Sequence, residues 1–246
     1  MERNVAYANL AKWFEYLNDD CGYENWSQYL ILKLGQFTLK KGLDVGCGGG
    51  WFTRAFQKHG YQMTGLDKSA EMLNYAQETA LKAGVRSEYL LGDITAFKSP
   101  NKFDFVTAIN DCVNYIPKQK LSAAFKNVYS ALGKNGVFLF DISSERKFIE
   151  KIANTVSVDD RDDVTYMSFN KAEEDGATME VTLFVKHADG RYERLDETHR
   201  QYRYTQAEIL AALEKAGFAA VETEGFLGED EKTSDRLCFL ARKGGK

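Results

Sequence analysis

Gly46-Cys47-Gly48-Gly49-Gly50 follows directly on Leu43-Asp44-Val45 and runs directly into Trp51-Phe52-Thr53-Arg54-Ala55-Phe56. This pattern restricts the fold more than any other stretch. A short buried strand ends at Val45. The glycines then let the backbone turn sharply and approach a bound molecule with no Cβ between them. The next segment opens a helix whose free N–H groups face the turn. A purely structural tight turn would use the same glycines, so the residues downstream of Phe56 have to decide between the two.

Residues 42–45, 51–58, 61–66 and 69–83 read as strand, helix, strand, helix, and their short connections imply a parallel sheet flanked by helices. The second strand ends at Asp67, where a doubly wound fold grips a ribose diol, because a carboxylate accepts both hydrogen bonds. Asp67 could instead cap the next helix, although Ser69, with Met72 three residues on, supplies that cap alone. A third strand over 86–91 ends in Gly92-Asp93-Ile94. The acid there either accepts the exocyclic amine of adenine, with Ile94 over the ring, or is an ordinary turn aspartate. The fourth strand, 103–109, runs into Asn110-Asp111-Cys112-Val113-Asn114-Tyr115, polar residues at the edge where open α/β sheets bind ligands. A helix over 118–132, a turn at 133–136 and a strand over 137–142 complete a fifth repeat.

Ahead of the first strand, Val5, Leu10, Trp13, Phe14 and Leu17, and then Trp26, Tyr29, Leu30, Leu32 and Leu34, recur at helical intervals. Two helices are expected, their aromatic rings serving either as core or as a lid over the glycine turn. After Ser143 the period changes. Met179, Val181, Leu183 and Val185 alternate with polar neighbours, and Ala188-Asp189-Gly190 turns the chain back along 192–204. With 164–169 these form an antiparallel sheet of about three strands. Asp159-Asp160-Arg161-Asp162-Asp163 reads as a solvated connection, since it lacks the oxygen spacing and glycine turn of a hard-metal loop. Thr205-Gln206-Ala207-Glu208 is a capping box for a helix ending at Gly217, and strands over 219–226 and 237–242 close the chain. The resulting division is a core with N-terminal helices over 1–143, an antiparallel insertion over 144–203 and completion of the core sheet over 204–246.

The 32 basic and 36 acidic residues leave a net charge of -4, so there is no excess positive charge for a nucleic-acid footprint. The first residues lack a signal-peptide pattern and no apolar run reaches bilayer length, which reads as cytoplasmic. Cys21, Cys47, Cys112 and Cys238 lack Cys-x-x-Cys spacing, so reduced thiols are expected and no metal site.

Together the glycine turn, Asp67, Gly92-Asp93-Ile94 and the strand over 103–109 resemble the ordered motifs of class I S-adenosylmethionine-dependent methyltransferases. The likeness covers 40–142 with the last helix and two strands; the insertion matches only the family's habit of placing acceptor-binding elements there. The nearest resemblance is to the small-molecule enzymes, where a Tyr-rich N-terminal helix pair and an Asp-x-x-Asn-Tyr segment, here Asp111 to Tyr115, border the methyl group. The fold implied is a doubly wound, mainly parallel, seven-stranded α/β sheet (Rossmann-like) with a small antiparallel insertion and an N-terminal helical lid.

By the same resemblance, S-adenosyl-L-methionine is the cofactor and S-adenosyl-L-homocysteine the product. Its amino-acid part falls to Gly46 and Gly48, its ribose to Asp67, its adenine to Asp93 and Ile94, and its sulfonium end to Asn110 and Asp111. Asp44 would orient the turn or meet the ammonium. Cys47, Lys68, Met72 and Gly92, with Tyr7 and Trp26 from the lid, complete the expected cofactor surface. A dinucleotide is disfavoured, because Gly-x-Gly-x-x-Gly counted from Gly46 puts Trp51 where the third glycine belongs. The acceptor is expected to be a small molecule bound by a monomer or homodimer. Candidate bases are Asp111, Tyr115 and His199, the last more often a surface residue than a base, and Tyr192, Arg200 and Tyr202 on the same returning strand either face the acceptor or are solvated as edge-strand residues. RNA or protein as acceptor, and a non-catalytic cofactor-binding protein, are the alternatives; no Asn-Pro-Pro-Tyr or Asp-Pro-Pro-Tyr segment follows the fourth strand.

Overall fold

The computed structural model describes residues 6–244. In chain order its helices are α1 (Phe14–Leu17), α2 (Tyr23–Leu34), α3 (Trp51–His59), α4 (Ala70–Lys82), α5 (Lys118–Ala131), α6 (Glu145–Lys147) and α7 (Gln206–Ala216). The strands are β1 (Lys41–Val45), β2 (Gln62–Asp67), β3 (Glu88–Leu91), β4 (Phe103–Ala108), β5 (Leu132–Ser143), β6 (Val156–Asp160), β7 (Val164–Glu173), β8 (Gly176–Lys186), β9 (Tyr192–Tyr202), β10 (Phe218–Gly225) and β11 (Arg236–Lys243). One sheet has seven strands in the order β10-β11-β5-β4-β1-β2-β3; a separate one has four, β6-β7-β8-β9.

In the large sheet β1 pairs in parallel with β2 and β4, β2 with β3, and β4 with β5, while β11 runs antiparallel between β5 and β10. The chain winds outward from β1 to β3, then returns past β1 to β4 and β5. The topological switch therefore lies between the carboxyl ends of β1 and β4, where a crevice must open. Strand alternation divides the core into two layers. Val106 and Phe138 pack with Phe125 of α5 and Ile209 of α7 on one face, while Phe105 and Leu139 pack with Trp26 of α2 and Phe56 of α3 on the other. Gly42 in β1 is needed for this second layer, because a Cβ there would meet Phe105 Cζ at 2.3 Å.

The capping signals act where their sequence places them. Thr205 and Glu208 form the reciprocal capping box of α7, and Gly217 ends that helix at φ 105°. Ser69 caps α4 by accepting the Met72 N–H.

Two expectations are corrected. The first of the two N-terminal helices shrinks to the single turn α1, and the described residues before it form turns. Tyr7 there has φ 68°, and the N–H groups of Tyr7, Asn9 and Leu10 are donated to Glu197, which withdraws them from any helical ladder. Val5, counted in that helical pattern, lies outside the described residues. The small sheet has four strands, not three: β6 pairs with β7, and Asp159 and Asp160 belong to β6 rather than to a solvated connection. Val156 and Val158 of β6 are exposed, so no buried stripe marked this strand in the sequence.

Candidate functional site

A cavity of about 310 Å³ lies beyond the carboxyl ends of β1, β2 and β4. Its floor is the glycine turn. Gly46 stands at φ 64° and a Cβ on it would fall 2.3 Å from Cys112 Sγ, so the turn closes against the next loop only with glycine. Gly48 stands at φ 52°, and a Cβ there would have only the Met72 side chain within 4 Å and would project into open space beside it. Asp44 is buried on the cavity wall, its carboxylate accepting from Thr53 Oγ1 at 2.6 Å and Thr107 Oγ1 at 2.8 Å. Burial raises its pKa to about 6 against the opposing pull of those two hydroxyls.

Asp67, at the end of β2, accepts the Gly48 N–H on one oxygen and the Ser69 N–H on the other, each at 2.9 Å. It ties the glycine turn to the start of α4, and each oxygen keeps a second lone pair for a ligand. Burial pushes its carboxyl above the ordinary range. Gly92, Asp93, Ile94 and Thr95 form the next wall. One Asp93 oxygen accepts the Thr95 N–H at 2.7 Å, as in an aspartate turn, and the other is left for a ligand. Cys47, Lys68 and Met72 also line the cavity.

Asn110 and Asp111 adopt consecutive left-handed conformations, φ 63° and 57°, a region that Asn and Asp enter more readily than other side-chain-bearing residues. Asp141 of β5 holds this turn by accepting both N–H groups, at 2.7 and 3.0 Å. Arg236 of β11 bridges Asp111 and Asp141 and reaches Asn110 Oδ1 at 3.3 Å. Asn110 lines the cavity; Asp111 does not. The expectation of Asp111 as a base or cofactor contact is therefore corrected. Burial opposes its charge, but Arg236 and Lys147 outweigh burial and hold its carboxyl below the ordinary range. Trp26 is likewise corrected: it is buried under the Arg236 guanidinium, 4.6 Å from its ring, and in edge contact with Phe52 and Phe226, away from the cavity.

Above the floor stand Tyr7 and Tyr115. The Tyr7 hydroxyl donates to the Tyr115 oxygen at 2.6 Å. Behind them His199 of β9, only 2 % exposed, has Nδ1 3.3 Å from the Tyr115 oxygen and Nε2 2.9 Å from Glu197 Oε2. His199 is thus no surface residue, yet it does not line the cavity itself and meets it through Tyr115 and through Tyr7, whose ring lies 4.6 Å from its own. Strand parity explains what happened to its neighbours. Glu197, His199 and Gln201 point inward; Arg200 pairs with Asp175 and stacks 5.0 Å from the Tyr202 ring, and Tyr192 is exposed. None of these three lines the cavity, and none of its lining residues comes from the four-stranded sheet.

Sequence reasoning missed Glu197, Arg236 and the pair Glu15 and Arg54, which joins α1 to the glycine turn at 2.8 Å while Arg54 also donates to the Gly49 carbonyl. Only Glu197 had a local signal, its two-residue spacing from His199.

Comparison with known proteins gives the same reading. A family described as "Methyltransferase domain" matches residues 43–136. A relative from Geobacillus sp. (strain WCH70), provisionally named a methyltransferase, is 31% identical, with 97% of this chain and 100% of the relative covered. The chain belongs to the class I S-adenosylmethionine-dependent methyltransferases. The crystal structure of an S-adenosylmethionine-dependent methyltransferase from Clostridium acetobutylicum ATCC 824 superposes with a TM-score of 0.87 at 28% identity, covering 98% of this chain and 100% of that one. Streptomyces venezuelae DesVI gives 0.80 at 25%, covering 98% and 99%.

S-adenosyl-L-methionine is the cofactor of this methyltransferase, and its cavity fits that molecule. The open cradle at Gly48 accepts a chain of atoms against the backbone, and the free lone pairs of Asp67 suit a vicinal diol. Lined by Leu66, Met72 and Ile94, the far wall suits a flat base. No described helix is long and apolar enough to cross a membrane.

Proposed function

We propose that this methyltransferase acts on a nitrogen or oxygen of a small molecule that enters the cavity between the glycine turn and the pair Tyr7 and Tyr115. The observation that carries this reading is the aromatic lining. Tyr7, Phe14, Tyr23, Trp51 and Tyr115 all line the cavity together with Asn110, a set of rings suited to a small ring or chain rather than a folded polymer. The net charge of -4 argues in the same direction. Among relatives of the cofactor-binding part, the ubiquinone biosynthesis O-methyltransferase of Yersinia pestis (strain Pestoides F) is 36% identical over 36% of this chain, which supports oxygen beside nitrogen as the acceptor atom.

When bound, S-adenosylmethionine supplies an electrophilic methyl carbon on a sulfonium. The residues have to hold an acceptor lone pair in line with it. Asp67, through the ribose, and Asp93, through the base, would anchor one reactant, while Asn110 would border the sulfonium end. Tyr7 and Tyr115 would exclude water and orient the other. Such alignment supplies up to about 7–11 kcal/mol of a barrier. We further place the protein in a reducing compartment, in keeping with its four free cysteines, and take it to act as a monomer or homodimer.

Titration calorimetry is expected to give binding of S-adenosylmethionine and S-adenosylhomocysteine and none of the nicotinamide dinucleotides. Release of S-adenosylhomocysteine with a panel of small amines and alcohols, but not with RNA or protein, would then identify the acceptor class. Turnover confined to a macromolecule would refute the small-molecule reading. Asp67→Ala is expected to raise the dissociation constant for S-adenosylhomocysteine by roughly ten- to over a hundredfold, the 1.5–3 kcal/mol typical of hydrogen bonds to a charged acceptor. An unchanged constant would leave Asp67 a purely structural tie between the glycine turn and α4.

A further inference from the structure

Glu197 is buried at 4 % exposure, on the insertion, outside the cavity lining, and lies against His199. Its two oxygens nevertheless collect four donors. Oε2 accepts the Tyr7 N–H and faces His199 Nε2, each at 2.9 Å, while Oε1 accepts the N–H groups of Asn9 and of Leu10, the latter at 2.9 Å. Burial opposes its charge, but the hydrogen bonds from His199, Leu10 and Asn9 prevail and hold its carboxyl below the ordinary range. Glu197 is therefore an ionised acceptor with no proton to give.

That single fact orders every proton above the cavity. Facing an acceptor-only group, His199 Nε2 must carry its hydrogen, so in the neutral ring Nδ1 is a lone pair. The Tyr115 hydroxyl then donates to Nδ1, and its oxygen accepts from Tyr7 and from the Gln201 side chain. Burial and the nearby Asp111 charge keep both phenols protonated. With its only hydrogen committed to Tyr115, the Tyr7 oxygen shows nothing but lone pairs to the cavity.

We propose that Glu197 is a positioning residue: it docks the Tyr7 segment over the cavity and, through the His199 tautomer, makes the Tyr7 oxygen the accepting end of a hydroxyl relay that takes the acceptor's proton. This rests on the reading above, in which the acceptor enters between the glycine turn and the two tyrosines. The acceptor must bring an N–H or O–H to Tyr7. As its lone pair bonds the methyl carbon, that proton passes to the Tyr7 oxygen, the Tyr7 proton to Tyr115, and the Tyr115 proton to His199 Nδ1. The charges balance: the resulting imidazolium lies against the Glu197 carboxylate, and each phenol ends with one proton, as it began. Docking and relay share one carboxylate, so the relay is complete only while the segment over the cavity is in place.

The test needs no acceptor. Ring ¹⁵N shifts of the three histidines are recorded at neutral pH in the protein saturated with S-adenosylhomocysteine, with His199→Gln used for assignment. His199 is expected to be protonated at Nε2 and bare at Nδ1. A protonated Nδ1, in the other tautomer or in an imidazolium, overturns the relay, and this measurement on the unaltered protein decides even if no variant folds. In Glu197→Gln, both tautomers are expected to appear, and amide exchange at residues 7, 9 and 10 should quicken by about tenfold or more, while S-adenosylhomocysteine still binds. An unchanged ring signal or unchanged exchange in that variant removes Glu197 from the role. Failure to find a small-molecule acceptor would touch only the function proposed above, because neither measurement depends on turnover.

Discussion

Arg236→Ala is expected to destabilise the protein by about 3–5 kcal/mol, the cost of leaving buried charge without its partner. The arginine is 13 % exposed and bridges Asp141, at 1 %, and Asp111, at 17 %; it also covers Trp26. Its removal frees the Asn110 and Asp111 turn from the guanidinium and leaves two carboxylates facing each other. The effect has a defined pH dependence. With its arginine present, Asp111 has a folded pKa below its ordinary 3.8, so its share of stability is present above that value and is lost as pH falls through the folded pKa. Without the arginine both carboxyls gain by protonation, and the difference between the two proteins should shrink below about pH 4. Urea unfolding at pH 7 and pH 4 measures this. A loss under 1 kcal/mol at pH 7, or one that grows in acid, would mean that Asp141 holds the turn without help.

Asp44→Asn is expected to act in the opposite direction on stability and to weaken cofactor binding. The folded pKa of Asp44 is about 6 against an ordinary 3.8. A carboxyl raised in this way favours the folded state below 3.8, where it is neutral in both states, and that advantage is lost as pH rises from 3.8 through 6. The shift corresponds to roughly 3 kcal/mol at pH 7. Asparagine keeps the shape and removes the charge, so the ligand-free variant should gain up to about that much at pH 7 and almost nothing at pH 4. Thermal unfolding at the two pH values checks the first part. Calorimetry with S-adenosylhomocysteine checks the second, since a buried anion retained at this cost should meet the cofactor's ammonium. A variant no more stable at pH 7 than the parent would show that Thr53 and Thr107 already compensate the charge.

Asp44 marks where sequence reasoning succeeds. Asp44 is legible because its setting is local: an apolar strand before it, glycines after it, Thr53 in the first turn of the helix beyond them. The same holds for the Thr205 to Glu208 capping box, for Ser69 ahead of α4, and for the alternation that makes β1 to β5 a parallel sheet. In each case the pattern itself is carried by residues close in the chain, even where a distant group adds to it, as Thr107 of β4 does at Asp44.

The sequence by itself thus determined the doubly wound core, its switch point and the glycine turn that lines the cavity. Only the tertiary structure decided the fate of Asp111, Trp26, His199 and the segment around Tyr7. Asp111 reads as a free acid until β11 brings Arg236 against it; Trp26 reads as lid until the same arginine covers it. His199 and Arg200 are neighbours of equal promise in the chain, and strand parity together with the docking of residues 7–10 onto Glu197 buries one and exposes the other to solvent-side pairing. The physical reason is the same throughout. A backbone pattern is set by neighbours a few residues away, whereas the protonation and orientation of a buried polar group are set by whichever partner folding delivers from elsewhere.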